Sequence, residues 1–267
     1  MQQFWRDSRL PFVESRRAIN SQACYRPHHH PFYSIGAIDA GNSIFNAACG
    51  FHQTLQAGDV ILIPAHLTHA CNPRFSPSWS YQMLHIQTAW LHTSLQSLGQ
   101  PVPFSSHSVR LYRQAQSYKC FSDCNALLFS TAPVGQKKQA LMALLHHLTS
   151  APSSEQILIP ATDPQHQQLL TSALRYVDQY GAQKLNLRHW AAAIGLSPFQ
   201  LIRLFRTCTG LTPQRWLQNH RINTARLALS KKQPISQVAY ELDFADQSHF
   251  QRVFKQYTAV TPKQYQA

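Results

Sequence analysis

The chain has 267 residues, 44% of them apolar, with 24 Lys/Arg against 11 Asp/Glu, a formal charge of +13 and a pI near 9.8. That length and apolar content exclude general disorder and allow two ordinary domains, each with its own core. The charge points to a polyanionic partner and is unevenly placed: residues 166–267 hold 13 Lys/Arg against 4 Asp/Glu, and residues 1–165 hold 11 against 7. No apolar run is long enough to span a bilayer, and Phe4-Trp5-Arg6-Asp7 interrupts any leader-like run, so no membrane partner is expected. The cysteines at 24, 49, 71, 120, 124 and 208 form no CxxC pair, which suits free thiols in a reducing cytoplasm. Cys120 and Cys124, four apart, can face each other on a helix, as a redox pair or as two ordinary buried thiols.

From residue 24 to about 90 the rhythm is that of short strands. Phe32-Tyr33-Ser34-Ile35-Gly36, Val60-Ile61-Leu62-Ile63 and Tyr81-Gln82-Met83-Leu84-His85-Ile86 are separated by turn formers such as Asp39-Ala40-Gly41-Asn42 and Ala57-Gly58-Asp59. Such runs predict an antiparallel β-sandwich or barrel. The stretch Gly58 to His69 reads as a turn, a buried strand, a proline stop at Pro64 and a histidine after a short loop. If the barrel encloses a pocket, alternate strand positions line it; Tyr33, His66, His69, Tyr81 and His85 are the candidate effector-binding residues. Filling the core is the alternative for Tyr33, Tyr81 and His85.

Residues 88–150 read as helical. Trp90, Leu91, Leu95 and Leu98 form one amphipathic segment; Leu141, Leu144, Leu145 and Leu148 share a face of a second, over 138–149. That face suits packing on the sandwich or on a second subunit, a possible homodimer. The Pro/Ser-rich stretch 151–165 reads as an interdomain linker. Helical periodicity resumes at Leu169, Leu170, Ala173, Leu174 and Val177, with Gly181 as its stop.

The C-terminal part contains a repeat. Leu201, Leu204, Phe205 and Cys208 are apolar at i, i+3, i+4 and i+7, and Phe250, Val253, Phe254 and Tyr257 repeat the spacing 49 residues on. Each helix therefore has an apolar back and a basic or amide-bearing front. A shorter helix precedes each one: Leu187, Trp190, Ala191 and Ile194 behind Asn186, and Ile235, Val238, Ala239 and Leu242 behind Pro234. Thr212-Pro213 and Thr261-Pro262 follow, each an N-cap and first helical residue. Helix, tight turn, helix, twice over, is a tandem helix-turn-helix.

These residues resemble the DNA-binding domain of the AraC/XylS family of transcription regulators. Trp190-Ala191, Ile194-Gly195-Leu196-Ser197, Gly210-Leu211-Thr212-Pro213, Arg221, Ala225-Arg226-Leu227, Phe244 to Phe250 and Val260-Thr261-Pro262 carry the likeness over about 100 residues. Asp243 and Ala259 stand where the family usually has Gly. Asp tolerates a left-handed turn, whereas Ala259 must avoid positive φ or accept strain. The resemblance implies that Phe199, Ile202 and Arg203 face base edges, with Gln200 and Arg206 nearer phosphates. In the second helix it implies Gln247, Ser248, Gln251 and Arg252 at bases and Lys255 at the backbone. The chemistry agrees, since Arg pairs with guanine, Gln with adenine, and Phe or Ile meets a thymine methyl. His249 reads as a packing residue. Residues 213–230 would join the two units and hold them about one duplex turn, roughly 34 Å, apart.

The N-terminal stretch resembles the cupin-like sensor domain that many AraC/XylS members carry. The expected architecture is thus α+β in two domains: a cupin-like antiparallel β-barrel or sandwich with helices over 1–150, and an all-α double helix-turn-helix domain over 166–267. Enzymatic cupins hold a metal with three His and usually a Glu. His28, His30 and His69 match the His positions, but no Glu follows His30, and His66 replaces a motif Gly. Three readings stay open for these rings: lining of a small-molecule pocket, structural hydrogen bonding, or a bound metal. The expectation is no cofactor, no metal and no enzymatic activity. The resemblance implies a cytoplasmic regulator, nucleoid-associated when bound to promoter DNA, that answers a small-molecule effector and activates through RNA polymerase. The rivals are a cupin metalloenzyme with a DNA tether and an architectural DNA binder.

Overall fold

A computed structural model describes residues 1–48, 50–74, 77–97, 99, 108–181 and 185–266. Leu98 and Cys49 lie outside the described residues. The N-terminal domain is built on a seven-stranded antiparallel sheet in the order β1-β2-β8-β3-β6-β9-β10. Its strands are β1 (Gln2–Trp5), β2 (Val13–Ser21), β3 (Phe32–Ala40), β6 (Val60–Ile63), β8 (Trp79–Gln87), β9 (Ser108–Tyr112) and β10 (Glu155–Leu158). A three-stranded sheet, β4 (Asn42–Ala47) between β5 (His52–Gln56) and β7 (His69–Pro73), closes over one face. Helices α1 (Thr88–Ser97), α2 (Ala115–Leu128) and α3 (Val134–Ser150) cover the other.

Alternation along the strands decides what each face buries. Val13, Ile86 and Tyr33 pair across β2, β8 and β3 and join the core under the helices with Leu91, Phe121, Leu141 and Leu145. One residue along, every side chain points the other way, into the space under the small sheet. There the rows are Glu14, His85, Ser34; then Arg16, Met83, Gly36; then Ala18, Tyr81, Ile38. Gly36 makes room for the middle row: a Cβ there would stand 2.8 Å from the Met83 methyl carbon.

Two expectations change, and of the two partners open to the leucine face of α3 its own domain is the one observed. The run 88–150 is interrupted by β9, whose Val109 and Leu111 belong to the inter-sheet core. The segment 151–165 carries β10, which pairs with β9 in antiparallel register, so part of the expected linker is sheet. Leu141, Leu144, Leu145 and Leu148 are buried inside their own domain, which leaves that face nothing to offer a second subunit.

The C-terminal domain is helical. After α4 (Pro164–Tyr180) come α5 (Leu187–Ala193), α6 (Pro198–Thr209), α7 (Pro213–Ser230), α8 (Ile235–Glu241), α9 (Gln247–Thr258) and α10 (Pro262–Gln266). Two cores divide it. Trp190, Phe205, Leu211 and Trp216 anchor the first unit with α4; Ile222, Phe244, Phe250, Phe254 and Tyr265 anchor the second. Helix α7 contributes Trp216 and Leu217 to one core and Ile222, Ala225 and Leu229 to the other, so it holds the two units together. Arg221 on α7 also pairs with Asp243 in the second turn, at 3.2 Å. Asp243 and Ala259 both have positive φ, 57° and 60°, so both non-glycine residues accept the left-handed conformation.

Candidate nucleic-acid interface and effector pocket

Helix α6 starts at a capping box. Ser197 Oγ accepts from the Gln200 amide at 3.3 Å, and Gln200 Oε1 accepts from the Ser197 amide at 2.8 Å. This engages one end of the Gln200 side chain with its own helix and leaves its NH₂ as the group that can reach a phosphate. Leu201, Leu204 and Phe205 point inward; Phe199, Arg203 and Arg206 are exposed and Ile202 is half-buried. Phe199 is 75% exposed, a large ring standing free at the leading end of the helix. Helix α9 repeats the plan. Asp246 caps it by accepting from the His249 amide at 2.6 Å. Gln247, Ser248, Arg252 and Lys255 are exposed, Gln251 is half-buried, and Phe250, Val253, Phe254 and Tyr257 face the core. The His249 ring packs edge-on against Phe244 at 5.6 Å, which suits packing more than base contact.

A second site lies between the domains. Glu14 on β2 accepts from Arg226 on α7 at 3.0 Å, from Arg6 at 2.7 Å and from the Tyr265 hydroxyl of α10 at 2.7 Å. Burial alone would raise the Glu14 carboxyl, but the Arg226 and Arg6 guanidinium groups outweigh it and hold the acid at about 2. Beside this cluster, the His29 backbone is clamped by α7. Its amide donates to Asn219 Oδ1 at 2.8 Å, and its carbonyl accepts from Asn219 at 2.8 Å and from Asn223 at 2.9 Å. The His29 ring stacks on Trp216 at 5.6 Å. Gly210, the left-handed C-cap of α6, meets Ala48 of the N-terminal domain so closely that a Cβ would collide with it.

Two cavities flank the Glu14–Arg226 pair. The inner one, about 60 Å³, reaches under the small sheet to His28, His30, His69, Tyr81 and His85. The outer, about 460 Å³, runs between Phe12, Phe32, Leu227 and Lys231, and Glu14, His85, Arg226 and Tyr265 line both. Arg16 enters the inner cavity from β2. It donates to the Tyr25 hydroxyl at 2.6 Å and to Gln2, Tyr25 in turn bonds Tyr81, and Arg16 Nε is buried with no partner among the described residues. Burial pushes His85 down to about 3 and His69 to about 4, so these rings are neutral. With neutral imidazoles, Arg6, Arg16, Arg226 and Lys231 outnumber the carboxylates Asp7 and Glu14 in the lining of the two cavities.

Of the residues expected to bind an effector, His69, Tyr81 and His85 line the inner cavity. Tyr33 does not: it is one position out of phase with Ser34 and packs under the helices. Nor does His66, which adopts φ 64° in the loop after β6 and places its ring 6.3 Å from that of His29. Glu14, Arg16, Tyr25, Trp79 and Arg226 line the cavity and were not anticipated. The available signal was the alternation Glu14, Arg16, Ala18, in which the charged positions face inward.

The sequence matches the AraC-like ligand binding domain family over residues 13–174 and a helix-turn-helix domain family over residues 190–267. The chain belongs to the AraC family of transcription regulators. Within that family, this regulator is 24% identical over 241 residues to YbfI, an uncharacterised HTH-type transcriptional regulator of Bacillus subtilis (strain 168), covering 89% of this chain and 85% of that protein. The arabinose operon regulatory protein of Escherichia coli (strain K12) is 34% identical over 97 residues, which are 36% of this chain and 33% of that protein. The fold matches ToxT of Vibrio cholerae bound to an unsaturated fatty acid, with a TM-score of 0.59 at 14% identity, covering 99% of this chain and 94% of that one. Among the described residues no helix is long and apolar enough to cross a membrane.

Proposed function

We propose that this regulator reads a two-box promoter site with α6 and α9, and that a small anionic molecule held between its domains governs how those helices are presented. The observation that carries the reading is that one cavity is lined by both domains. Arg226 and Tyr265 come from the helix-turn-helix domain, and Arg16, Tyr81 and His85 from the sensor domain. A molecule that binds there interacts differently with closed and open arrangements, which is the requirement for coupling ligand to DNA. The buried guanidinium excess favours a carboxylate or comparable anion, and Phe4, Trp79 and Met83 supply apolar contact. The fatty-acid complex of the ToxT fold supports the same class of ligand.

The inner cavity has room for a few water molecules. A larger ligand therefore enters by displacing Glu14 from Arg226, which joins the inner and outer cavities. In DNA recognition, Arg203 and Arg252 pair with guanine, Gln247 and Gln251 with adenine, Phe199 and Ile202 meet thymine methyl groups, and Ser248 bonds to a base edge. Arg206, Lys255 and the Gln200 NH₂ bind phosphates. Activation through contact with RNA polymerase is the direction the family resemblance favours, with the chain acting alone or as a homodimer on paired sites.

The test is a fluorescence titration of the full chain, with Trp79 in the cavity wall as reporter, using straight-chain carboxylates and the matching alcohols. Saturable quenching by carboxylates, weakened at least about tenfold in Arg16→Gln and accompanied by a change in DNA affinity, is expected. Equal binding of alcohols and acids, or no effect on DNA affinity, contradicts the reading.

A further inference from the structure

Of the four histidines that line the inner cavity, His28, His30 and His69 are arranged in a way that pocket lining alone does not require. His28 and His69 face each other across an isolated β-bridge, with backbone bonds of 3.0 and 2.8 Å in both directions. Their ring centroids are 4.9 Å apart, and that of His30 is 5.1 Å from His69. One ring nitrogen from each of the three lies within 4.8 Å of the other two.

The tautomers follow from the hydrogen bonds. Nδ1 of His28 is 2.7 Å from the Arg26 carbonyl, Nδ1 of His69 is 2.8 Å from the Leu67 carbonyl, and Nδ1 of His30 is 3.1 Å from the Phe32 carbonyl. A carbonyl only accepts, so Nδ1 carries the proton in all three rings, and in a neutral imidazole Nε2 then carries the lone pair. A backbone carbonyl holding one ring nitrogen is the support that metal-ligating histidines have: it fixes ring orientation and raises the basicity of the other nitrogen. Among the described residues no hydrogen bond engages Nε2 of His28 or His69. Nε2 of His30 is 3.2 Å from Ser34 Oγ, but that hydroxyl is closer to His85 Nδ1, at 2.8 Å, and can donate there instead.

We infer that His28, His30 and His69 form a binding site for a late first-row divalent metal ion, of which Zn²⁺ is the representative, coordinated by three Nε2 atoms with its remaining position open to the inner cavity. Three imidazoles with an open fourth position suffice for such an ion, so the missing cupin glutamate does not exclude it. Nitrogens bound at about 2.0–2.1 Å around a tetrahedral ion stand roughly 3.3 Å apart, closer than the 4.8 Å within which one nitrogen of each ring lies here, so the rings close on the ion. Half-buried His28 has the freedom to make that adjustment. Two positive charges beside Arg16 and Arg226 call for an anion in the open position, so metal and a small anion such as acetate bind with mutual reinforcement. The consequence for the fold is direct. His29, between two of the ligands, is the residue whose backbone α7 clamps, so the ion would stiffen the contact that joins the two domains.

The experiment is Co²⁺ binding to the untagged full chain, followed by visible absorption and equilibrium dialysis, with and without acetate. The comparison variants are His28→Ala, His69→Gln and, as a control on exposed β5, His52→Gln. One Co²⁺ per chain is expected, with the strong visible bands of a four- or five-coordinate ion. Affinity should fall more than about 100-fold in His28→Ala and His69→Gln, stay unchanged in His52→Gln, and rise with acetate. Circular dichroism checks that each variant is folded; if His69→Gln is not, half-buried His28→Ala alone decides. Absence of a bound ion in the folded wild-type chain, or equal binding by wild type and His28→Ala, overturns the assignment.

Discussion

Glu14, on the second strand, and Arg226, on the helix that joins the two helix-turn-helix units, meet at 3.0 Å between the two domains. Arg6 and Tyr265 also bond Glu14, so one carboxylate ties the N-terminal sheet to α7 and α10. Its acid is held at about 2 against an ordinary 4.5. A depressed carboxylate contributes stability that is complete above pH 4.5 and is lost as pH falls from there toward 2. Glu14→Gln should therefore lower stability at pH 7 by about 3 kcal/mol, because buried cations lose their partner, and should flatten the acid limb of stability against pH. Thermal melts from pH 7 to 3 check both; a variant with the wild-type acid limb would show that Glu14 is not the group responsible.

Gly210 ends the first recognition helix with φ 70° and abuts Ala48. Gly210→Ala meets a backbone cost of about 1 kcal/mol and a collision with Ala48 that pushes the two domains' contact apart. It should increase proteolysis at the domain boundary while leaving each helical core intact. Unchanged protease resistance would mean that the contact does not hold the domains in solution.

Ala259, at the equivalent cap of the second recognition helix, has φ 60° with no glycine to ease it. Ala259→Gly should stabilise the chain by about 1 kcal/mol and raise Tm by roughly 2–4 °C. A lower Tm would mean that the Cβ makes contacts worth more than the strain.

Arg252 and Lys255 lie one helical turn apart on exposed α9 and make different predictions. Arg252→Ala should cost about 1–3 kcal/mol of specific binding and relax base preference at one position. Lys255→Ala should weaken binding to all sequences alike and reduce the salt slope by about one. Measuring affinity for a selected site and a scrambled one, over a range of salt, separates the two roles.

How much of this was legible depended on which way side chains face. The 49-residue repeat was plain because Leu201, Leu204 and Phe205, like Phe250, Val253 and Phe254, put apolar residues on one helical face, and the helices appear where that spacing puts them. The β2 strand was missed because its inward positions include Glu14 and Arg16, so the usual link between burial and hydrophobicity is inverted there. Tyr33 was misassigned by one step of strand phase; the neighbouring Ser34 points the other way and bonds the cavity residues His30 and His85. Pairing of β10 with β9 is non-local, and the Pro/Ser content around it hid a short edge strand. No sequence pattern announces Arg226 as a cavity residue, since it reaches the site only once the two domains pack.

The central claim, that two helices read bases and the rest of the chain adjusts how they are presented, is tested most directly by selecting DNA from a random pool with the full chain and with an Arg203→Ala/Arg252→Ala variant. The account predicts one site of two boxes about a duplex turn apart for the wild type, with preference lost at one position in each box for the variant. Recovery of no defined sequence by the wild type, or of the same site at the same strength by the variant, would contradict it.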